Sequence, residues 1–129
     1  TTNKTSPIES LFLILSLETI AQHGLTALMF ALPWECVPKP DIGQVIHLGY
    51  VPMAVLNLMY ALALALGVYL LVGGRLSGRR ILVALALLDI VLEFIFHGFG
   101  FITVSVLVSA MIVGLSFFIK NRESASQLD

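Results

Sequence analysis

Glu18 and His23 interrupt one apolar stretch of this sequence, Asp89, Glu93 and His97 interrupt another, and His47 stands just before a third. The later group reads D-x-x-x-E-x-x-x-H. Spacings of four return side chains to nearly one helix face. At 100° per residue these three fall within an arc of about 80°. Carboxylate plus imidazole is a ligand set for zinc, copper, iron or manganese. The candidates for a divalent transition metal are His97, Glu93, His23 and His47. Glu18, His23, Asp89 and Glu93 could instead bind a small ligand or relay protons, since imidazole titrates near neutrality. They could also act as general acid and base on a lipid-soluble substrate. Haem between His23 and His97 is a weaker option, because it needs two opposed, correctly aimed imidazoles. No catalytic residue is assigned.

Each group has a structural reading beside the chemical one. Glu18 and Asp89 as a buried pair would only fix helix register. His47 reads more readily as a hydrated loop residue than as a ligand. His97 before Gly98 reads as part of a helix C-cap. Asn57 reads as an interhelical hydrogen-bond donor.

The elements that must carry these residues are membrane helices. The chain has 129 residues, 58% hydrophobic and 12% charged, with a mean hydropathy of +0.98. Soluble domains carry about 25% charged residues, so half that share points to lipid as the solvent. Net charge is −1 and no basic patch is present, which argues against nucleic acid as a partner. A single cysteine, Cys36, excludes an internal disulfide and a CxxC redox pair.

A spanning helix needs roughly 20 apolar residues. Four stretches qualify: residues 10–32, 53–72, 81–97 and 101–119. Residues 44–51 either extend the second helix or lie at the interface, with Pro52 marking the change. The first stretch is longer than the apolar region of about 7–15 residues in a cleaved signal peptide, and is read as a helix. Residues 120–129 read as a short tail, and the whole chain, 1–129, as a single transmembrane domain.

Turn chemistry sits between the stretches. Pro33, Pro38, Pro40, Asp41 and Gly43 form the first break. Gly73-Gly74 and Leu76-Ser77-Gly78 form the second, and Gly98-Phe99-Gly100 the third. Lys4, Arg75, Arg79, Arg80, Lys120 and Arg122 then share one side of the membrane, with Lys39 opposite. By the positive-inside rule both termini and the Arg75–Arg80 segment are cytoplasmic. Trp34, Tyr50 and Tyr69 fall near span ends, where amphipathic rings belong.

The fold expected is therefore an all-α integral membrane protein, a multi-pass four-helix bundle. Counting inward from the helix starts sets Glu18 level with Asp89, His23 with Glu93, and His97 with His47. This predicts a polar column facing the first helix and open to the outer side. Spans two and four read as apolar walls, with Ala61/Ala65, Ser105/Ser109 and Ala110/Gly114 as small-residue pairs for close contact. The lone Glu18 is shared with small multidrug-resistance transporters, but Leu17-Glu18-Thr19-Ile20 lacks their motif and no family is assigned. The function expected is binding of a metal ion or small ligand. The chain would be an accessory subunit of a larger membrane complex, beside other subunits or as a homo-oligomer. A proton- or cation-coupled transporter and a membrane-embedded enzyme are the alternatives.

Overall fold

A computed structural model describes residues 6–32, 39, 44–98 and 103–128, with residues 121–128 described by backbone alone. Among these residues the chain forms four helices: α1 (Pro7–Ala31), α2 (Tyr50–Val72), α3 (Leu76–His97) and α4 (Val104–Leu128). The first-break residues Pro33, Trp34, Glu35, Cys36, Pro38, Pro40, Asp41 and Gly43 lie outside the described residues, as do Lys4, Phe99 and Gly100.

Helix ends depart from the sequence expectation for local reasons. α1 starts at Pro7, not at residue 10. A capping box there has Glu9 N–H donating to Ser6 Oγ, and the Ser6 N–H donating to the Glu9 carboxylate. Pro7 suits the first helical position, because that N–H has no intrahelical partner. α2 starts at Tyr50 and runs through Pro52. Pro52 lies in the first turn, where its missing N–H costs nothing. α3 starts at Leu76, not at residue 81, so Leu76-Ser77-Gly78 is helix rather than turn. The turn itself is Gly73–Arg75. Gly74 takes φ +82°, while Gly74 N–H donates to Leu71 O and Arg75 N–H to Leu70 O. This is a Schellman closure, which requires glycine at the left-handed position. α4 continues to Leu128, so the expected tail at 120–129 is helical as far as it is described.

Each helix packs on its neighbours in sequence, and α1 packs on α4 to close the ring. α1 and α3 therefore lie diagonally across the bundle. Buried residues recur at spacings of three and four on every helix: Phe12, Ser16, Thr19, His23, Ala27 and Phe30 on α1, and Gly78, Leu82, Ala86 and Asp89 on α3. Such stripes are what a helix needs to bury one face. The apolar core joins Phe12, Tyr60, Leu64, Leu82, Ala86, Ile112 and Ile119. α2 and α3 cross most tightly at Gly78. A Cβ there would lie 2.3 Å from Leu71 N and 2.6 Å from Gly67 O.

Polarity is arranged against the usual pattern of a protein in water. Ser16, Thr19, His23, Asn57, Asp89, Ser105 and Ser109 are buried, while Ile14, Leu25, Leu62, Val91, Leu107 and Phe117 face outward. α1 and α2 are each long and apolar enough to cross a membrane, and the apolar part of α4 is the shorter Val104–Lys120.

Candidate functional site

The polar interior is built around His23. Asn57, from α2, donates through Nδ2 to Met53 O. A carbonyl only accepts, so the Asn57 amide is turned with Oδ1 toward His23 Nδ1, 2.9 Å away. Oδ1 in turn only accepts, so His23 Nδ1 carries a proton. The other ring nitrogen, Nε2, lies 3.3 Å from Asp89 Oδ1 across the bundle diagonal. That is an ionic distance, but Nε2 is out of line for a directed hydrogen bond. Tyr60 packs on the imidazole with ring centroids 4.4 Å apart, and its hydroxyl donates to Leu85 O on α3.

Asp89 is held from its far side as well. Ser105 Oγ and Ser109 Oγ, one turn apart on α4, donate to Asp89 Oδ2 at 2.6 and 2.7 Å. All four helices thus converge on one pair. Hydrogen bonds from Asn57, Ser105 and Ser109 and the close approach of imidazole to carboxylate are what let these polar groups tolerate burial.

One turn farther along α3 lies a second acid–imidazole pair. Glu93 Oε2 is 3.0 Å from His97 Nδ1 and accepts a hydrogen bond from Thr103 Oγ1 at 3.1 Å. Thr103 Oγ1 also accepts from Val106 N–H, capping α4. This pair borders a cavity of about 210 Å³ in the half of the bundle where α1 and α3 end. The deep wall is His23, Asn57 and Tyr60; the rest includes Gln22, Thr26, Glu93, His97 and Thr103, with Gln44 and Phe96 toward the end. Among the described residues, Gln22 Oε1 is buried there without a hydrogen-bond partner. No lysine or arginine lines the cavity among the described residues.

The predicted residues are thus partly reunited and partly separated. His23 and Asp89 meet, and so do Glu93 and His97. Glu18 does not join them: it is exposed on the outer flank of α1, and Asp89 pairs with His23 in its place. His47 is exposed in the segment before α2, so it does not complete a column with His97. Metal candidates His97, Glu93, His23 and His47 form no single ligand set. Among the described residues no three His, Cys, Asp or Glu side chains converge as a metal site requires. Haem fares no better, because both His23 nitrogens face Asn57 and Asp89. Asp89 does not line the cavity that Glu93 and His97 border.

Sequence reasoning missed the parts supplied by α2 and α4. Asn57 does bond across helices, but as an acceptor toward His23 rather than the expected donor, and Ser105 and Ser109 are donors rather than mere small contacts. The available signal was the pair of hydroxyls four residues apart in an otherwise apolar helix. No family model matches the chain, and no curated protein or solved structure is similar to it.

Proposed function

We propose that the chain is an integral, multi-pass membrane protein whose four-helix bundle binds a small hydrogen-bond-donating cation in its acid–imidazole cavity. The membrane reading is supported by the apolar exterior, the buried polar residues and the length of α1 and α2. Positive-inside orientation puts both termini and the Gly73–Arg75 turn in the cytoplasm. The cavity then lies toward the outer face.

The observation that carries the ligand reading is Gln22 Oε1, a buried acceptor without a partner among the described residues, facing a cavity that also holds the Glu93 carboxylate. An unmet buried acceptor costs about 1–3 kcal/mol, which a donor ligand recovers. With acceptors present and no lysine or arginine, the lining favours cations over anions. Its volume is below the roughly 300–1,000 Å³ of sites for drug-sized ligands, so the ligand is small. The compact build suits a subunit of a larger membrane assembly; a monodisperse particle of this chain alone would count against that role.

Methylammonium is a suitable probe. Titrated into protein in detergent micelles, it should shift the Gln22 side-chain amide and His97 ring resonances saturably. Glu93→Gln should weaken binding at least about tenfold, the effect of about 1.4 kcal/mol, and acetate should not bind. Absence of a saturable shift, or equal binding of acetate, would refute the reading.

Two acid–imidazole pairs on successive turns of α3 favour a second reading, proton transfer along that stripe. It predicts proton flux into proteoliposomes that is lost in Asp89→Asn and Glu93→Gln. Unchanged flux in both variants removes it.

A further inference from the structure

At the opposite end of the bundle from the cavity, α3 and α4 part to leave a groove of about 520 Å³. Arg79, Arg80 and Lys120 border it. Its walls are apolar: Val83, Ala84 and Leu87 from α3, Val113 and Phe117 from α4. Arg80, Ala84 and Leu87 recur at helical spacing, as do Val113, Phe117 and Lys120, so each helix turns one face to the groove. The register that sets Asp89 against Ser105 and Ser109 runs the two helices antiparallel. It brings the last apolar turn of α4 alongside the first turns of α3. The cations therefore collect at one end and the apolar wall extends from them along the bundle. Ser116 stands between.

We propose that this groove holds an anionic phospholipid, with its phosphate on Arg80 and Lys120 and an acyl chain along Val83, Leu87 and Phe117. Two features decide the chemistry. Clustered guanidinium and ammonium groups select a phosphate, and arginine grips it through paired donors. A continuous apolar wall leading away from those cations gives a free phosphate nothing to fill, whereas an acyl chain fits it. In the bilayer orientation proposed above, on which this inference rests, the cations lie at the cytoplasmic surface, where anionic lipids concentrate. The site is separate from the acid–imidazole cavity and shares no lining residue with it.

Native mass spectrometry of detergent-released protein tests this directly. Wild type offered equal phosphatidylglycerol and phosphatidylcholine should retain the former, and millimolar inorganic phosphate should not displace it. The double variant R80Q/K120Q removes exposed charges without touching the core. It should weaken phosphatidylglycerol retention about 30-fold, at about 1 kcal/mol for each cation lost. Equal retention of both lipids, full retention by the double variant, or displacement by inorganic phosphate would each overturn the proposal. Carbonate extraction of membranes separates the two ways of failing. Protein that stays in the membrane yet shows no lipid preference refutes the groove alone; protein released to the aqueous phase refutes the membrane reading and the groove with it.

Discussion

Asp89 is the residue on which most of the interior depends. His23 meets one oxygen, while Ser105 and Ser109 donate to the other. Asp89→Leu leaves His23 and two hydroxyls buried without their acceptor. Removing one partner of a buried ion pair costs about 3–5 kcal/mol, and thermal unfolding in a fixed detergent should show a loss of that size. Single replacements of Ser105 or Ser109 by Ala should cost about 1 kcal/mol each, within the range for hydrogen bonds between membrane helices. The two serines serve the same oxygen, so either alone still satisfies it in part. The double replacement should therefore lose more than the two singles added together; strict additivity would mean that the two serines act independently of each other. Glu18→Gln should leave both stability and methylammonium binding unchanged, because Glu18 is exposed away from the cavity. The reason it was misjudged is angular. Glu18 and His23 are five positions apart, which is about 140° around a helix. Matching depths alone brought Glu18 to Asp89; azimuth sends it outward.

Among the helices, the α2–α3 crossing has the least room to change. A Cβ at Gly78 would strike Leu71 N and Gly67 O, which are backbone atoms that move only with their helix. Gly67 is less constrained, since its added carbon would meet the Leu82 side chain at 2.9 Å. Gly114 has open space around it. Thermal unfolding should therefore rank the three alanine variants. Gly78→Ala should lose 1–3 kcal/mol or more, as overpacking does, at about the upper end of that range. Gly67→Ala should lose less, and Gly114→Ala should gain up to about 1 kcal/mol from helix propensity. A Gly78→Ala variant as stable as wild type would mean that the helices cross more loosely. The periodicity made the presence of all four helices legible. It did not reveal their ends, which depend on caps: Ser6 with Glu9 for α1, Gly74 for α2, Thr103 for α4. Leu76-Ser77-Gly78 read as a turn because glycine commonly breaks helices, yet Gly78 is there to let α2 approach.

For the whole molecule the decisive question is which end faces the cytoplasm. Single cysteines in place of Ser77 and His47, both exposed, report on it once Cys36 is replaced by serine. In intact cells a membrane-impermeant maleimide should label position 47 and reach position 77 only after permeabilisation. The reverse pattern would invert the orientation, and labelling of both without permeabilisation would contradict α2 as a span. The proposed orientation would put the acid–imidazole cavity toward the outer face and the cationic groove inside, so one labelling result bears on both proposals.

Composition and periodicity were enough to determine an all-helical chain with four helices and an acid–imidazole stripe on the third. These are local properties: an apolar repeat needs one buried face, and spacings of four align side chains within a single helix. Partner choice is not local. Whether Asp89 meets Glu18 or His23 depends on how far each helix is rotated about its axis and where each begins. Whether two serines are packing or donors depends on what the neighbouring helix sets before them. Those quantities are decided when four helices close into a ring with α1 and α3 on the diagonal. Only the tertiary structure shows His23 held between Asn57 and Asp89, with Glu93 and His97 one turn beyond.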